Sequence, residues 1–522
     1  MGQSGWLMGL MEFMSLLFIF VVGSIIAALL VVYVIDRSQR TQAIRRNYPV
    51  IGRLRYLLEH LGKFFRQYFF AMDREELPFN RSQRSFVYRA SKDLDTTTSF
   101  GSTRDLAPVG SVFFVNCPFP TLATDAAASE PLVIGPHCPH PYAARSLFNI
   151  SGMSYGAISR PAVQALAQGA ARAGCWLNTG EGGLSPYHLE AGCDLVFQIG
   201  TAKYGVRTPD GQLDHDQLRE IAARASVRMF EIKLSQGAKP GKGGLLPGRK
   251  VTEEVARIRG IPVGLDSSSP NRHVEVDNVP DLLDLIAEVR ATTGKPTGIK
   301  FVVGAYGWLE TLCEEILERG PAAAPDFVTV DGADGGSGAA PGALMDSMGL
   351  PLHESLPMVV DILEHYALRD RIRVIASGKL VTPTDIGWAL CVGADFAVSA
   401  RGFMFALGCI QAMQCNKDTC PTGITTHNPR LQQGLDPAHK AVRVAHYIRN
   451  TIHEVEVIAH SCGVHEPREL ERFHARIVTS HGQSVPLDAF YPALRGRHQG
   501  RDARPEVART TPGGDHHQGS AE

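Results

Sequence analysis

From Phe13 to Ile35 the chain carries no charged side chain. A helix rises 1.5 Å per residue, so about 20 such residues cross a bilayer core, and the run predicts a membrane-spanning helix. The flank that follows is basic, with Arg37, Arg40, Arg45 and Arg46. The positive-inside rule places this flank, and everything after it, in the cytoplasm. A cleaved signal peptide fits less well, because the basic residues follow the apolar run and no A-x-A-like site closes it. Residues 36 to 75 then mix cations with aromatics: Arg53, Arg55, Lys63, Phe64, Phe65, Arg66, Tyr68, Phe69 and Phe70. Such a stretch predicts either a helix lying on the membrane surface or one whose aromatics pack on the main domain.

Beyond Phe148 the pattern changes. Short apolar, β-rich runs alternate with segments of helical period. The runs are Phe148–Ile150, Cys175–Asn178, Leu195–Ile199, Met229–Leu234, Thr297–Val303, Phe327–Val330, Ile372–Ala376 and Phe396–Ser399. Helical patterns follow several of them, at Pro161–Ala173, Asp281–Arg290, Trp308–Arg319 and Pro383–Cys391. Eight β/α units predict an α/β fold, a closed parallel (β/α)8 TIM barrel, here behind an N-terminal transmembrane helix. The expected division is an anchor over 1–36, a juxtamembrane and barrel-capping segment over 37–147, the barrel over 148–465, and an extension over 466–522. An insertion with its own Gly/Pro-rich loop separates the fourth and fifth strands. The extension is polar from about residue 495 and is expected to be disordered there.

Composition narrows the function. The 522 residues are 44% hydrophobic, enough for a large core, and the formal net charge is −1. With no charge bias and no nucleic-acid motif, a nucleic-acid partner is not expected. Of ten cysteines, seven are scattered (Cys117, Cys138, Cys175, Cys193, Cys313, Cys391, Cys462), a spread unlike a disulfide scaffold. Three are clustered at Cys409, Cys415 and Cys420, followed by Pro421. Soft thiolates at this spacing suit an iron–sulfur cluster. With no fourth Cys nearby, the candidates are a three-iron cluster or a four-iron cluster short of one ligand. A zinc site using His427, and buried thiols with no ligand role, are the alternatives.

Ligands of such barrels sit at the carboxyl ends of the strands. Those ends are rich in Gly and polar residues: Ser151-Gly152-Met153-Ser154, Asn178-Thr179-Gly180-Glu181, Gln236-Gly237-Ala238-Lys239, Asp331 through Gly338, Ser377-Gly378 and Arg401-Gly402. Glycine lets backbone approach a ligand, and exposed N–H groups cradle phosphate. One such loop means little, but six at successive strand ends point to a phosphorylated cofactor. The late pair, Gly378 and Arg401–Gly402, lies where barrels commonly hold phosphate. Lys300, inside the fifth strand, needs a negative partner. Either a reduced flavin or a structural ion pair would supply one.

Five stretches carry a family resemblance: SYGAISRPA from Ser154, NTGEGG from Asn178, QGAKPGKGGLLPG from Gln236, DGADGGSGAAP from Asp331, and CIQAMQCNKDTCPTGITT from Cys409. In this order, from about Phe148 to Gly463, they resemble the flavin-binding synthase domain of glutamate synthase. The chain also resembles stand-alone bacterial proteins of the domain 2 type, which share an N-terminal anchor and a segment like Ser269–His273. The resemblance implies FMN, held by Ser151, Met153, Ser154, Asn178, Thr179, Gln198, Lys300, Asp334, Gly335, Gly336, Ser377, Gly378, Arg401 and Gly402. It implies a [3Fe–4S] cluster on Cys409, Cys415 and Cys420. It implies that Gln236, Lys239, Arg259 and Glu181 form the catalytic and substrate site. An external donor, a ferredoxin or a reductase subunit, would then reduce the cluster. The cluster would reduce FMN, and FMN would reduce 2-iminoglutarate formed from 2-oxoglutarate and ammonia. A dicarboxylate needs paired cations, which agrees with Lys239 and Arg259.

The chain departs from the family at several points. It shows no glutaminase domain and no N-terminal catalytic Cys, so ammonia is expected from outside. Ala333 stands where the family has His, and Ser268-Ser269-Pro270 replaces three prolines. Two other roles stay open: a flavin enzyme acting on another oxo acid or an N-substituted glutamate, and a membrane-docked electron-transfer subunit. The α-hydroxy-acid oxidases are set apart, because their His before Gly-Gly is absent at Ala333.

Overall fold

The computed structural model describes residues 3–39, 41–127, 129–304, 307–480 and 482–492. The expected disordered tail lies outside them. The chain divides into two compact units, 1–84 and 85–522.

The first unit holds helix α1 (Gln3–Ser38) and helix α2 (Gly52–Phe65). Among the described residues, α1 is the one helix long and apolar enough to cross a membrane. Its apolar side chains, Phe13, Phe18 and Phe20 among them, are exposed.

In the second unit eight strands close a parallel barrel: β1 (Phe148–Ile150), β2 (Leu177–Asn178), β3 (Leu195–Ile199), β4 (Val227–Lys233), β5 (Thr297–Phe301), β6 (Phe327–Asp331), β7 (Arg373–Ser377) and β8 (Phe396–Ser399). Each of the eight predicted runs contributes one strand, and β8 returns to β1 with Val398 opposite Asn149. The strands are buried along almost their whole length, because helices cover the outside and side chains fill the inside. Trp176, Met229, Phe327, Ile375 and Phe396 form the interior core, with Trp176 and Phe396 5.1 Å apart edge to face. A hairpin of Leu132–Ile134 and Tyr142–Ala144 supplies Ile134, Tyr142 and Ala144 to this same cluster.

Two long helices brace the barrel's outside. Helix α3 (Arg160–Ala173) starts on the Ser159 cap and ends at Gly174 in the left-handed conformation. Helix α4 (Pro437–Cys462) packs on it so closely that a Cβ on Gly169 would lie 2.5 Å from the Val444 Cβ. From α4 the fully buried Tyr447 reaches Phe148 of β1 and Phe403, and its hydroxyl donates to the Val381 carbonyl at 2.8 Å. The segment between β4 and β5 folds into a small hairpin (Leu245–Leu246 with Ser267–Ser268), a helix (Glu253–Arg259) and a longer helix (Val279–Thr293). This insertion walls one side of the barrel mouth.

Candidate active site

An open cleft of about 980 Å³, mouth included, lies at the carboxyl ends of the strands. Its lining unites Glu181, Gln236, Lys239 and Arg259 with Met153, Ser154, Gln198, Gly336, Arg401 and Cys415.

Glu181 is the one carboxylate on this lining, and its placement is tight. The Lys233 ammonium, at the end of β4, lies 2.8 Å from Glu181 Oε2. A Cβ on Gly244 would come within 2.3 Å of the other oxygen, Oε1, so only glycine fits there. Burial alone would raise the Glu181 pKa. Lys233, Lys239 and Arg259 outweigh it and hold the carboxyl down at about 2. Lys233 also donates to Gln236 Oε1 at 3.2 Å, and Gln236 Nε2 donates to the Gly336 carbonyl at 3.2 Å. Burial lowers the Lys239 pKa, with Glu181 opposing.

Arg259 comes from the insertion. It ends the helix Glu253–Arg259, just before Gly260, and is 4% exposed. One guanidinium nitrogen donates to the Tyr155 carbonyl at 3.0 Å, and the group lies 5.0 Å over the Tyr204 ring. Its Nε is buried with no hydrogen-bond partner among the described residues. A buried cation with a donor to spare marks a place for an anion.

Below the cleft the barrel interior is polar. Glu231 of β4 accepts hydrogen bonds from Asn178 (2.8 Å), Gln198 (2.7 Å) and Thr329 (2.6 Å). Lys300 of β5 pairs with Asp331 at 3.3 Å. Burial would lower the Lys300 pKa, but Asp331 and Glu231 raise it instead. Asp331 also accepts from the Gly237 amide (3.0 Å) and the Ser377 hydroxyl (2.8 Å). It thereby ties β5, β6 and β7 to the loop that carries Gln236 and Lys239.

The three clustered cysteines lie in one loop after the helix Arg401–Leu407. Side chains outside the loop hold it, Arg249 among them at the Asn416 carbonyl (2.8 Å). Tyr88 donates to the Cys409 carbonyl at 2.6 Å. The Lys250 ammonium donates to the carbonyls of Ala157 (2.7 Å), Thr425 (2.9 Å) and Cys415 (3.2 Å). Arg401 Nη1 stands 3.6 Å from the Cys415 thiol, which faces the cleft. Among the described residues no group of three His, Cys, Asp or Glu is gathered as a single metal ion requires.

The expected residues therefore fall into three places. The four catalytic candidates line the cleft with Met153, Ser154, Gln198, Gly336 and Arg401. Ser151, Asn178 and Lys300 border a small void in the barrel interior. Thr179, Asp334, Gly335, Ser377, Gly378 and Gly402 border neither. Thr179 Oγ1 accepts from the Gln198 amide at 3.1 Å, Asp334 accepts from the Leu352 amide at 3.2 Å, and the Gly402 amide is engaged by Ser399 at 3.2 Å. Three residues were not singled out beforehand: Lys233, Glu231 and Lys250. The first two are charges inside an apolar strand, the same signal that marked Lys300.

A profile described as the conserved region in glutamate synthase matches residues 121–465. The chain belongs to the glutamate synthase family. With it, the chain is an oxidoreductase of that type. It is 37% identical to the glutamate synthase large subunit-like protein YerD of Bacillus subtilis, over 88% of this chain and 94% of that protein. It is 33% identical to the archaeal-type glutamate synthase [NADPH] of Thermotoga neapolitana, over 66% of this chain and 65% of that one. The archaeal glutamate synthase [NADPH] of Methanocaldococcus jannaschii gives 33% over 62% and 60%. Among solved structures, flavocytochrome b2 with pyruvate bound shares 15% identity at a TM-score of 0.44, over 81% of this chain and 90% of that one, too distant to bear on chemistry.

Proposed function

We propose that this family member reduces 2-oxoglutarate with ammonia to L-glutamate, using FMN and a [3Fe–4S] cluster. In this reading residues 1–36 span the membrane, 37–147 form a juxtamembrane and barrel-capping segment, 148–465 form the catalytic unit on the cytoplasmic side, and 466–522 extend it. One observation carries the substrate assignment. A single carboxylate, Glu181, is outnumbered on the cleft lining by Lys233, Lys239, Arg259, Lys250 and Arg401. A dianionic substrate offsets part of that excess, and the Arg259 guanidinium on the lining offers a cation to one of its carboxylates.

The residues fit the cofactors. The cleft lies at the strand ends, where such barrels take their ligands. Gly152 backs directly on Asn178 and Gln198 at its floor, where a Cβ would come 2.8 Å from Asn178 Oδ1. FMN bound there supplies the hydride-donating ring for the imine carbon. The three cysteines of one loop offer a cluster one thiolate per iron, and such a cluster would supply one-electron delivery. Arg259 and Lys239 hold the substrate's carboxylates and fix its reacting carbon. Gln236, pinned between Lys233 and Gly336, orients the oxo group. Glu181 stays ionised throughout the neutral range and so favours a cationic iminium nitrogen over the neutral ketone. The donor is a separate ferredoxin or reductase protein.

The deciding experiment is turnover by purified full-length protein with reduced methyl viologen, ammonia and a panel of oxo acids. Glutamate formed from 2-oxoglutarate, and from no other acid at comparable kcat/KM, is the expected result. Preference for another oxo acid, or, with oxidised viologen as acceptor, oxidation of an added N-methylated glutamate, replaces the substrate. Electron transfer with no substrate turnover leaves only the carrier role.

A further inference from the structure

The first unit ends its long helix in a polar knot. The Asp36 side chain is fully buried beneath Arg45 (2.9 Å) and Arg53 (2.8 Å), and accepts the Val50 amide at 3.0 Å. Arg53 belongs to the first turn of α2. The knot therefore fastens the start of α2 to the last turn of α1, at the level where a spanning helix leaves the hydrocarbon.

From there α2 presents an apolar stripe. Leu54, Leu57, Leu58 and Phe65 recur at helical spacing, and the turn Arg66–Phe70 carries Tyr68 and Phe69 onward. These side chains are exposed: Leu58 by 62% and Phe69 by 74%. Phe65 and Phe69 lie 5.7 Å apart, so the stripe stays continuous across the change of helix type. An apolar stripe of this extent in water calls for a cover. Charge says which. Residues 37 to 70 hold eight Lys or Arg against one acid, Glu59, and Arg55 and Arg66 are exposed beside the stripe. Apolar and aromatic side chains bounded by arginines fit the headgroup layer of an anionic bilayer.

We propose that residues 52–70 form a membrane foot, lying flat in the headgroup layer of anionic lipid beside the exit of α1. The foot rests on the reading of α1 as a span. Asp36 is its hinge pin, fixing where the stripe meets the surface. Function follows from restraint. A single spanning helix can turn about its own axis, and a second contact at the surface limits that turning.

The test uses the full-length chain in vesicles of phosphatidylcholine and phosphatidylglycerol at about 2:1. A photo-crosslinking p-benzoylphenylalanine replaces Phe69 in one sample and Phe20, inside α1, in another. Lipid adducts at both positions are expected. The adduct at 69 should fall several-fold in phosphatidylcholine alone, while that at 20 should not change. Lipid labelling at 20 but not at 69 overturns the foot and leaves the span. Attachment of the probe at 69 to residues 85–522, or to a second copy of the chain, overturns it too. Lipid at neither position removes the span and the foot together.

Discussion

Glu181 shows how the cleft works residue by residue. It is buried, yet charged, because three cations surround it. Those cations are more than it needs, and the surplus is what an acidic substrate would neutralise. Lys239→Ala or Arg259→Ala should therefore cost on the order of 2–5 kcal/mol in kcat/KM for 2-oxoglutarate, while the bound flavin's visible spectrum stays as it was. Flavin loss with unchanged substrate affinity would assign these two residues to the cofactor instead. Much of this was legible in the sequence: a Lys and an Arg near Gly-rich strand ends stand out against an apolar background. Lys233 and Glu231 were equally legible, since β4 reads VRMFEIK and two charges inside a buried strand require partners. What the sequence hides is pairing across distance. That Gly244 must yield to Glu181, or that Gly237 donates to Asp331, depends on loops 63 and 94 residues apart.

At the scale of elements, the barrel strands were readable because each is a short apolar run bounded by Gly or polar residues. β2 is the shortest, two residues against the four expected, because Cys175 and Trp176 turn into the core before the ladder begins. The hairpin of Leu245–Leu246 and Ser267–Ser268 was not readable, since two-residue strands leave no period. The cysteine loop is the element whose chemistry is most exposed to test. Its backbone is held by Lys250 and Tyr88, not by regular structure, and Arg401 joins its middle cysteine to the cleft. Changing any one of Cys409, Cys415 or Cys420 to Ser should abolish the cluster, because a hydroxyl is a poor ligand for iron in a sulfur cluster. Anaerobically purified wild type should carry about three irons per flavin and give an odd-electron paramagnetic signal when oxidised. Four irons and a silent oxidised state would make the cluster [4Fe–4S]. Zinc in place of iron would remove the redox route.

For the second unit as a whole, buried histidines set an acid limit. Burial holds His188 down at about 4, and does the same to His273, whose ring Nε2 donates to the Lys233 carbonyl 3.1 Å away. Below their ordinary value of 6.5 the unfolded chain binds protons that the folded chain refuses. Stability should then fall as pH drops from 6.5 towards 4. Glu181 adds a second loss lower down, where its folded carboxylate stays ionised below the ordinary 4.5 and its pairing is forfeited towards about 2. The melting temperature should decline steadily from neutral pH to about 5, and His273→Gln should shrink that decline. A flat profile would mean that these rings titrate normally.

The division of the chain makes the last prediction. The unit of residues 85–522 contains the closed barrel, the cleft and the cysteine loop, so nothing in the proposed chemistry draws on α1. The helix Arg81–Ser91 leads into it, begun by Asn80, whose side chain accepts the Gln83 amide at 2.9 Å. A chain starting near residue 76 keeps that cap. It removes α1 and the exposed stripe of α2, the surfaces that most favour lipid or aggregation. The shortened protein should be soluble without detergent, and should bind flavin with the absorption spectrum of the full chain. The full chain should sediment with membranes and resist extraction by alkaline carbonate, which strips peripheral proteins but not spanning helices. Mass spectrometry of the purified full chain decides between anchor and signal peptide, since a retained span leaves Phe13–Ile35 in the mature protein. A mature chain beginning beyond Ile35, or a full chain wholly in the soluble fraction, would end the anchor reading while leaving the barrel chemistry untouched.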